Sequence, residues 1–498
     1  MTSAATVVST FLLFTATIAA QVPLGAVLNG TNEVPPVPTA ATGTARLNLN
    51  LPSQTLSYRV VTSGLVGTAA HIHVGTVGVN GGVLFGLTGG PSIWEGTTPP
   101  LTNAQVTALL TEGYYINVHS ATFPGGEIRG QVVPHVRRPL IATLDGAQET
   151  PPVVTAASGT ATAFLNLPFR TVDYDVRTTG VAGTVAHIHV APFGISGPVV
   201  KPLVGSPSQW AGTTTPMTAA QASDLLAGNH YINVHSAAHP GGEIRGQLQK
   251  STSIRFIARM NGGEEVPSVA TPGTGYASFT LDEVAGLLAY DISTSGLTAP
   301  ISAAHIHLGV LRQNGGVIIN LAPPAGASAW SGSAAVTPAQ IDALYRGSYY
   351  VNVHTTMFPG GEVRGQIFQN PMTFGFGFDG GGSERRIDAL SGGPFLGSPL
   401  TISLTNAPGG ATCSLFLSDN TTSLLGGPLP LFSPAGPIWI DAGALFFIPA
   451  VANSIGSASF TITVPASPAA IGLAAYWQWL INEPAGPTVS NALQTIIQ

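Results

Sequence analysis

The sequence predicts an all-β protein that is divided into several domains. Glycine (61 residues) and proline (40 residues) are abundant, whereas only 8% of the residues are charged. Such a balance, with threonine, serine and valine filling much of the remainder, favours short strands joined by many turns. The length of 498 residues leaves room for three or four hydrophobic cores, because a single domain usually has about 100–200 residues.

A long internal repeat organises most of the chain. A His-Ile-His triplet occurs three times at intervals of about 117 residues, and each copy is followed by Asn-Val-His and then by Pro-Gly-Gly-Glu-(Ile/Val)-Arg-Gly-Gln. A period of this length corresponds to a whole domain, because each copy can bury a core of its own. The predicted organisation is a signal peptide, three repeat domains and a C-terminal β-rich module, at residues 1–20, 21–135, 136–250, 251–370 and 371–498.

Each copy of the repeat predicts antiparallel strands and one short helix. Residues 45–51 and 56–60 alternate apolar and polar side chains, which predicts a hairpin with one buried face. The helix is predicted by a capping box, Thr-x-x-Gln, that is followed by a glycine where a short helix would end. The capping boxes lie at residues 102–105, 218–221 and 337–340, and the glycines are Gly113, Gly228 and Gly347. Each domain is therefore predicted to be an antiparallel β-sandwich or barrel with one helical crossover.

Four motifs of the first copy together resemble a known family. Glu-Val-Pro-Pro, Ala-His-Ile-His, Asn-Val-His and Pro-Gly-Gly-Glu-Ile-Arg-Gly-Gln stand at residues 33–36, 70–73, 117–119 and 124–131. This pattern resembles the CHRD domain, named for chordin and present in many secreted bacterial proteins, over residues 24–133, 140–249 and 255–368. The resemblance implies an extracellular, immunoglobulin-like β domain. Growth-factor binding by chordin is not implied, because its cysteine-rich binding modules have no counterpart here.

The two ends of the chain carry separate signals. Residues 7–20 form an uncharged apolar stretch that ends in small residues, which is typical of a secretory signal peptide, although no Lys or Arg precedes it. The alternative is a buried strand of the first domain. The region after residue 371 resembles a small C-terminal β module of secreted bacterial proteins. Because no later segment has the roughly 18 uncharged apolar residues that a membrane span needs, we expect a secreted or cell-surface protein.

The charge argues against nucleic-acid binding, and the cysteine content excludes an intramolecular disulfide. The net charge is −6, and no cluster of Lys and Arg forms the basic surface that nucleic-acid binding requires. A single cysteine, Cys413, leaves no intramolecular disulfide, so we expect each domain to be held by its apolar core and Cys413 to be a buried strand residue.

The repeated histidines are the strongest candidate site. Residues two apart on a strand face the same side, so the histidines of His-x-His and of Asn-x-His converge if their strands are neighbours. Three neutral imidazoles suit Cu²⁺ or Zn²⁺ and leave a coordination position open. A similar arrangement occurs in copper/zinc superoxide dismutases, which are also β-sandwich proteins. This hypothesis predicts three metal sites, formed by His71, His73 and His119; by His187, His189 and His235; and by His305, His307 and His354.

A structural role is the competing interpretation of the same histidines. They would then belong to a buried hydrogen-bond network that locks the strands together, with glutamate and arginine also forming a salt bridge. The supporting residues are Asn117, Glu127 and Arg129; Asn233, Glu243 and Arg245; and Asn352, Glu362 and Arg364. No carboxylate or cysteine completes a set of four metal ligands, so the sequence favours this interpretation narrowly.

Two functions are consistent with these patterns. The first is a secreted, non-enzymatic binding or structural protein whose three domains form an extended array that contacts an extracellular protein, glycan or matrix component. The alternative is a copper or zinc metalloprotein, with redox or hydrolytic chemistry at the open position. Other catalytic motifs are absent from the sequence, so an enzyme would depend on the histidines. Glycan binding would require exposed aromatic side chains at the recurring Trp94, Trp210 and Trp330.

Overall fold

A computed structural model describes the repeats almost completely and the C-terminal module in part. The described residues are 21–205, 207–374, 386–392, 398–418, 423–424, 427–428, 431–433, 436–438, 446–454, 456–464, 474–483 and 486–496. The predicted signal peptide, residues 1–20, lies outside them. In the described residues, the regular structure consists of strands, three short α-helices and three single-turn 3-10 helices, so the predicted all-β class is confirmed.

The first domain is one antiparallel sheet that curls around a single core. Its strands are β1 (Gln21–Asn29), β2 (Thr42–Asn50), β3 (Thr55–Ser63), β4 (Gly67–Val74), β5 (Val83–Gly86), β6 (Ile93–Thr97), β7 (Tyr114–Ser120), β8 (Ile128–Gln131) and β9 (Val133–Pro134). They pair in the order β5-β4-β7-β8-β1-β2-β3-β6, and β9 pairs with β1. The predicted hairpin is β2–β3, whose alternate side chains enter the core with those of β1, β4, β7 and β8.

The second and third domains repeat this strand order. The second contains β10 (Val136–Asp145), β11 (Ser158–Leu167), β12 (Thr171–Thr179), β13 (Gly183–Val190), β14 (Val199–Leu203), β15 (Gln209–Thr213), β16 (His230–Ser236), β17 (Ile244–Gln247) and β18 (Gln249–Lys250). The third contains β19 (Ile254–Asn261), β20 (Thr274–Asp282), β21 (Leu287–Ser295), β22 (Ile301–Leu308), β23 (Val317–Asn320), β24 (Ala329–Ala335), β25 (Tyr349–Thr355), β26 (Val363–Gln366) and β27 (Phe368–Gln369).

One helix of eight residues crosses each domain, as the capping boxes predict. The helices are α1 (Asn103–Leu110), α2 (Ala219–Leu226) and α3 (Pro338–Tyr345). The side chain of each N-cap threonine accepts from the backbone N–H of the glutamine three residues later, and the glutamine side chain accepts from the N-cap N–H in return. Among the described residues, no helix has the length and apolar character to cross a membrane.

The C-terminal module is a sandwich of two small antiparallel sheets around one core. One sheet orders its strands β28 (Met372–Phe374), β39 (Gly486–Ile496), β38 (Ala474–Glu483), β31 (Thr412–Ser418) and β36 (Phe446–Val451). The other contains β29 (Arg386–Gly392), β30 (Pro399–Thr405) and β37 (Ala458–Thr463), and two short hairpins pair β32 (Ser423–Leu424) with β33 (Gly427–Pro428) and β34 (Leu431–Ser433) with β35 (Gly436–Ile438). Cys413 is buried on β31, as expected.

Consecutive domains contact each other, and the first and third domains are also in contact. The first and second meet where Phe169 packs on Arg46, and the second and third meet where Arg138 pairs with Glu283. The third domain also returns to the first, where Leu311 joins the apolar core of the first domain. An extended array is therefore not what the structure shows, because the first and third domains are in direct contact.

Candidate metal centre

The repeated histidines lie on the outer face of two neighbouring strands in each domain. On β4, Ile72 points into the core, so His71 and His73 on either side of it point outward. Strand β7 pairs with β4 so that His119 lies opposite Ala69, two residues before His71 and on the same face; the register shifts only before this point, between Gly67 and Ala69. The same pairing, with the same register shift, joins β13 to β16 and β22 to β25. The predicted convergence of three imidazoles thus occurs in all three domains.

The ring nitrogens of each cluster are close enough to share one ion. His71 Nδ1 lies 3.0 Å from His119 Nε2, and the corresponding distances in the second and third domains are 3.2 and 3.1 Å. One nitrogen from each of the three histidines lies within 4.8 Å of the others. Nitrogens bound to a common ion at 2.0–2.1 Å in tetrahedral geometry are about 3.4 Å apart, so small side-chain rotations suffice for binding.

Backbone carbonyls fix the tautomers of two histidines in each cluster. His73 Nδ1 lies 3.0 Å from the carbonyl oxygen of Gly81, and His119 Nδ1 lies 3.0 Å from that of Pro124. A carbonyl only accepts hydrogen bonds, so both Nδ1 atoms carry the proton and both Nε2 atoms of the neutral rings keep a lone pair. Equivalent contacts occur at His189, His235, His307 and His354. Metal-binding histidines typically donate their other ring N–H to a carbonyl or carboxylate in this way.

One lone pair in each cluster is buried without a partner. His73 Nε2 has no hydrogen-bond partner among the described residues, and the same holds for His189 Nε2 and His307 Nε2. Buried polar atoms are nearly always paired, so three unpaired nitrogens at equivalent positions call for a partner outside the described residues, such as a water molecule or an ion. The residues present therefore fit an ion that takes nitrogen ligands: Nδ1 of the first histidine and Nε2 of the other two.

Burial favours the neutral, metal-binding form of six of the nine imidazoles. Burial, followed by the neighbouring imidazoles, lowers the pKa of His71, His187 and His305. Burial is also the largest cause that lowers the pKa of His73, His189 and His354. A protonated imidazole has no lone pair, so these shifts favour metal binding near neutral pH.

A tyrosine and an arginine support the middle histidine of each cluster, which is the second histidine of the His-x-His motif (His73, His189 or His307). The ring of Tyr115 stacks on His73 with centroids 4.9 Å apart, and the guanidinium of Arg129 lies 3.4 Å from the centre of the same ring. The Tyr115 hydroxyl accepts from the backbone N–H of Gly81, the residue whose carbonyl holds His73. Equivalent stacks involve Tyr231 and Tyr350. No role beside the histidines was predicted for these tyrosines, although their position two residues before the motif asparagine places them on the same strand face.

The predicted salt bridge between glutamate and arginine does not form. Arg129 donates to the backbone carbonyls of Thr76 and Val79 and to Asn80 Oδ1, whereas Glu127 accepts from Thr39 Oγ1 at 2.7 Å. The other arginines, Arg245 and Arg364, likewise hold loop carbonyls, and Glu243 and Glu362 accept from threonines. The described hydrogen bonds of the histidines run to each other and to backbone carbonyls, and the link between His73 and Arg129 is indirect, through the Tyr115 ring.

The motif asparagine contacts a second, buried carboxyl group. Asn117 Nδ2 donates to Glu33 Oε2 at 3.4 Å, and Glu33 is only 6% exposed. Glu33 Oε1 and Asn117 Oδ1 are buried without partners among the described residues. Burial raises the pKa of Glu33 to about 7, against the opposing effects of Arg129 and Asn117. The pairs Asn233–Glu149 and Asn352–Glu265 repeat this arrangement, and burial raises the pKa of each glutamate to about 7.

The remaining candidates are core residues. Trp94, Trp210 and Trp330 are all buried, so they are packing residues and offer no exposed platform for a glycan. His230, which stands where the other repeats have tyrosine, is buried as well.

The chain matches one protein family over most of its length. The CHRD domain family matches residues 24–132, 140–248 and 256–367. Among curated proteins, chordin of Xenopus laevis is 26% identical over 251 residues, which are 45% of this chain and 26% of chordin. The matched part is thus about a quarter of the length of that relative.

The similarity to solved structures is much weaker. A bacterial ice-binding adhesin covers 66% of this chain and 91% of its own, at 12% identity and a TM-score of 0.14. A tetra-tandem repeat from the extending region of a large adhesion protein covers 90% of this chain and 96% of its own, at 10% identity and a TM-score of 0.16. Similarity at this level supports no statement about function.

Proposed function

The chain belongs to the CHRD domain family, with three tandem CHRD domains, and from the histidine clusters of these domains we propose an extracellular metal-binding protein in which each domain holds one copper or zinc ion. The ligands are the three histidines of each cluster. The observation that carries the proposal is the buried Nε2 atom of His73, His189 and His307, which has no partner among the described residues while its ring is oriented by a loop carbonyl.

The donor set supports copper or zinc over harder ions. Each cluster offers three neutral nitrogens, whereas Mg²⁺ and Ca²⁺ prefer oxygen ligands. With three protein ligands the coordination sphere has an open position, at which a bound ion would supply redox or Lewis-acid chemistry. The half-buried His71 and His119 keep this side of the first cluster near solvent, whereas in the third cluster His354 is buried.

A second candidate function is a non-enzymatic binding or structural protein. It is favoured by the contact between His71 Nδ1 and His119 Nε2, which also serves as an ordinary hydrogen bond if Nδ1 carries a proton. In that case the clusters join strands within each domain, and the three domains act together on an extracellular protein or matrix component. Secretion by an N-terminal signal peptide belongs to both proposals.

Metal titration distinguishes the two functions. The purified full-length chain would be stripped with a chelator, incubated with Cu²⁺ or Zn²⁺, and analysed by native mass spectrometry. We expect three bound ions, and two after the substitution His73→Ala, His189→Ala or His307→Ala. The control is His239→Ala, which changes a histidine outside the clusters and should retain three ions. A chain that binds neither ion, but unfolds at a lower temperature after His73→Ala, would support the structural function instead.

A further inference from the structure

The three metal clusters differ in how their covering loops are held. In each domain a loop of eight residues joins the strand of the His-x-His motif to the next strand, at residues 75–82, 191–198 and 309–316. Each loop supplies the glycine carbonyl that accepts from the middle histidine. Each loop is also bound by the motif arginine through backbone carbonyls. A contact that restrains such a loop therefore restrains a metal ligand.

The tip of the third loop is buried, whereas the tips of the first two are exposed. Leu311 lies four residues after the middle histidine of its cluster, as do Val77 and Phe193 in the other domains. Leu311 is 7% exposed and packs into the core of the first domain, but Val77 is 75% exposed and Phe193 is 68% exposed. The loops have the same length and are all bound by the motif arginine, and Leu311 is buried against the first domain, so its burial arises from the neighbouring domain.

Backbone conformation on both sides of this contact points to a specific interface. Arg312 has φ +61°, where the other two loops have Gly78 (φ +78°) and Gly194 (φ +76°). Its guanidinium donates to Asn103 Oδ1 of the first domain. A left-handed conformation is unfavourable for residues other than glycine. Arg312 therefore lowers the stability of the loop relative to a glycine at the same position.

The facing surface of the first domain shows the same feature. Glu112 follows α1 with φ +60°, where the other two helices are followed by Gly228 (φ +79°) and Gly347 (φ +66°). Glu112 forms an ion pair with Arg346 of the third domain. Two charged residues thus replace glycines at left-handed positions, and both contact the opposite domain.

We propose that the first domain holds the covering loop of the third cluster, and that Leu311 and Arg312 are positioning residues for the third metal site. They act on His307 through the loop that carries Gly315. Opening this loop requires the loss of contacts with the first domain as well as those with the motif arginine, whereas the loops over the first two clusters are bound by the arginine but have exposed tips. The third site therefore releases its ion more slowly than the other two. This inference rests on the proposed function, because it assigns different properties to the three sites.

Release kinetics from single sites test the inference. In three versions of the full-length chain, two clusters are disabled by replacing both histidines of their His-x-His motifs with alanine. Each version is loaded with Cu²⁺ and mixed with excess chelator. We expect release from the third site to be about tenfold slower than from the first or second, in the range that outer-shell contacts contribute to metal affinity.

Substitutions in the loop separate positioning from general stability. Arg312→Gly restores the residue of the other two loops and removes the contact with Asn103, and Leu311→Ala removes the buried tip. Either change should accelerate release from the third site several-fold. Leu311→Met keeps an apolar side chain at the tip and should leave release as slow as in the natural chain. The matched controls, Val77→Ala at the first site and Phe193→Ala at the second, should leave release unchanged.

Two results would overturn the inference, and they are distinguishable. Equal release rates from three loaded sites would refute the restraint by the first domain and leave the proposed function intact. Failure of every version to load copper would refute both.

Discussion

His73 Nδ1 lies 3.0 Å from the carbonyl oxygen of Gly81. Because a carbonyl only accepts, this contact places the proton of the neutral ring on Nδ1 and leaves the lone pair on Nε2. The equivalent contacts in the other domains are 2.9 and 3.0 Å long. The strand brings the histidines together, but the loop decides which nitrogen is available to an ion.

The stack of Tyr115 on His73 predicts a role for the tyrosine ring in metal binding. Tyr115→Leu removes the surface on which His73 and Arg129 both lie, so we expect copper affinity at the first site to fall by about 10- to 100-fold. Tyr115→Phe keeps the ring and loses only the hydroxyl contact with Gly81, so its effect should be smaller. Competitive copper titration of a chain with only the first cluster intact measures both. Unchanged affinity in the leucine variant would show that the stack is merely packing.

The buried Glu33 predicts a pH-dependent stability. Its pKa is raised to about 7 in the folded protein, mainly by burial, so between pH 4.5 and 7 the folded state holds a proton that the unfolded state has lost. The contribution of this group to stability is therefore fully present below pH 4.5 and is lost as the pH rises through 7. A protonated carboxyl also carries a hydrogen-bond donor, in a region where Asn117 Oδ1 is a buried acceptor without a partner among the described residues.

The substitution of glutamine for the three buried glutamates tests whether stability falls as the pH rises, as predicted. The variant Glu33→Gln, Glu149→Gln, Glu265→Gln stays neutral at all pH values and keeps a donor. Relative to the natural chain, we expect it to gain little at pH 4.5 and about 2 kcal/mol per domain at pH 8. Calorimetry across this range measures the gain. Glu243→Gln is the control, because that glutamate has a lowered pKa, caused first by a hydrogen bond from Ser236, and should give no such gain. A gain that does not change with pH would contradict the assignment of a neutral Glu33.

Close packing of Gly67 on Trp94 predicts a steric effect at the start of β4. A Cβ atom at Gly67 would lie 2.3 Å from the Trp94 ring, which is buried and has no room to move. Gly67→Ala should therefore destabilise the first domain by about 1–3 kcal/mol, as overpacking in a core does. Gly82→Ala, in the same domain, is the matched control, because no atom lies within 4 Å of its Cβ position. Equal unfolding temperatures for the two variants would contradict the packing described for β4 and β6.

The local parts of this architecture were predictable from sequence. The repeat period indicated three domains, the capping boxes indicated the helices, and the alternation of His71 and His73 around Ile72 indicated that both face one side of a strand. The pairing of β4 with β7 could only be assumed from the sequence, since strand neighbours depend on long-range contacts that leave no local pattern.

The partners of the site residues were much less predictable. Every residue has a backbone carbonyl, so the sequence contains no signal that Gly81 and Pro124 hold the histidines. The expected pairing of Glu127 with Arg129 is wrong because Arg129 reaches the covering loop and Glu127 reaches Thr39. The contact between the first and third domains does have a sequence signal, since Arg312 and Glu112 replace glycines of the other repeats, but its meaning required the structure.

X-ray absorption spectroscopy of the copper-loaded, full-length chain tests the central claim most directly. The account predicts three bound ions per chain, each with three imidazole nitrogens at about 2.0 Å and with the outer-ring scattering that is characteristic of histidine. Ions that bind without imidazole scattering, or that retain the same spectrum after alanine replaces His73, His189 and His307, would contradict the assignment of these clusters as metal sites.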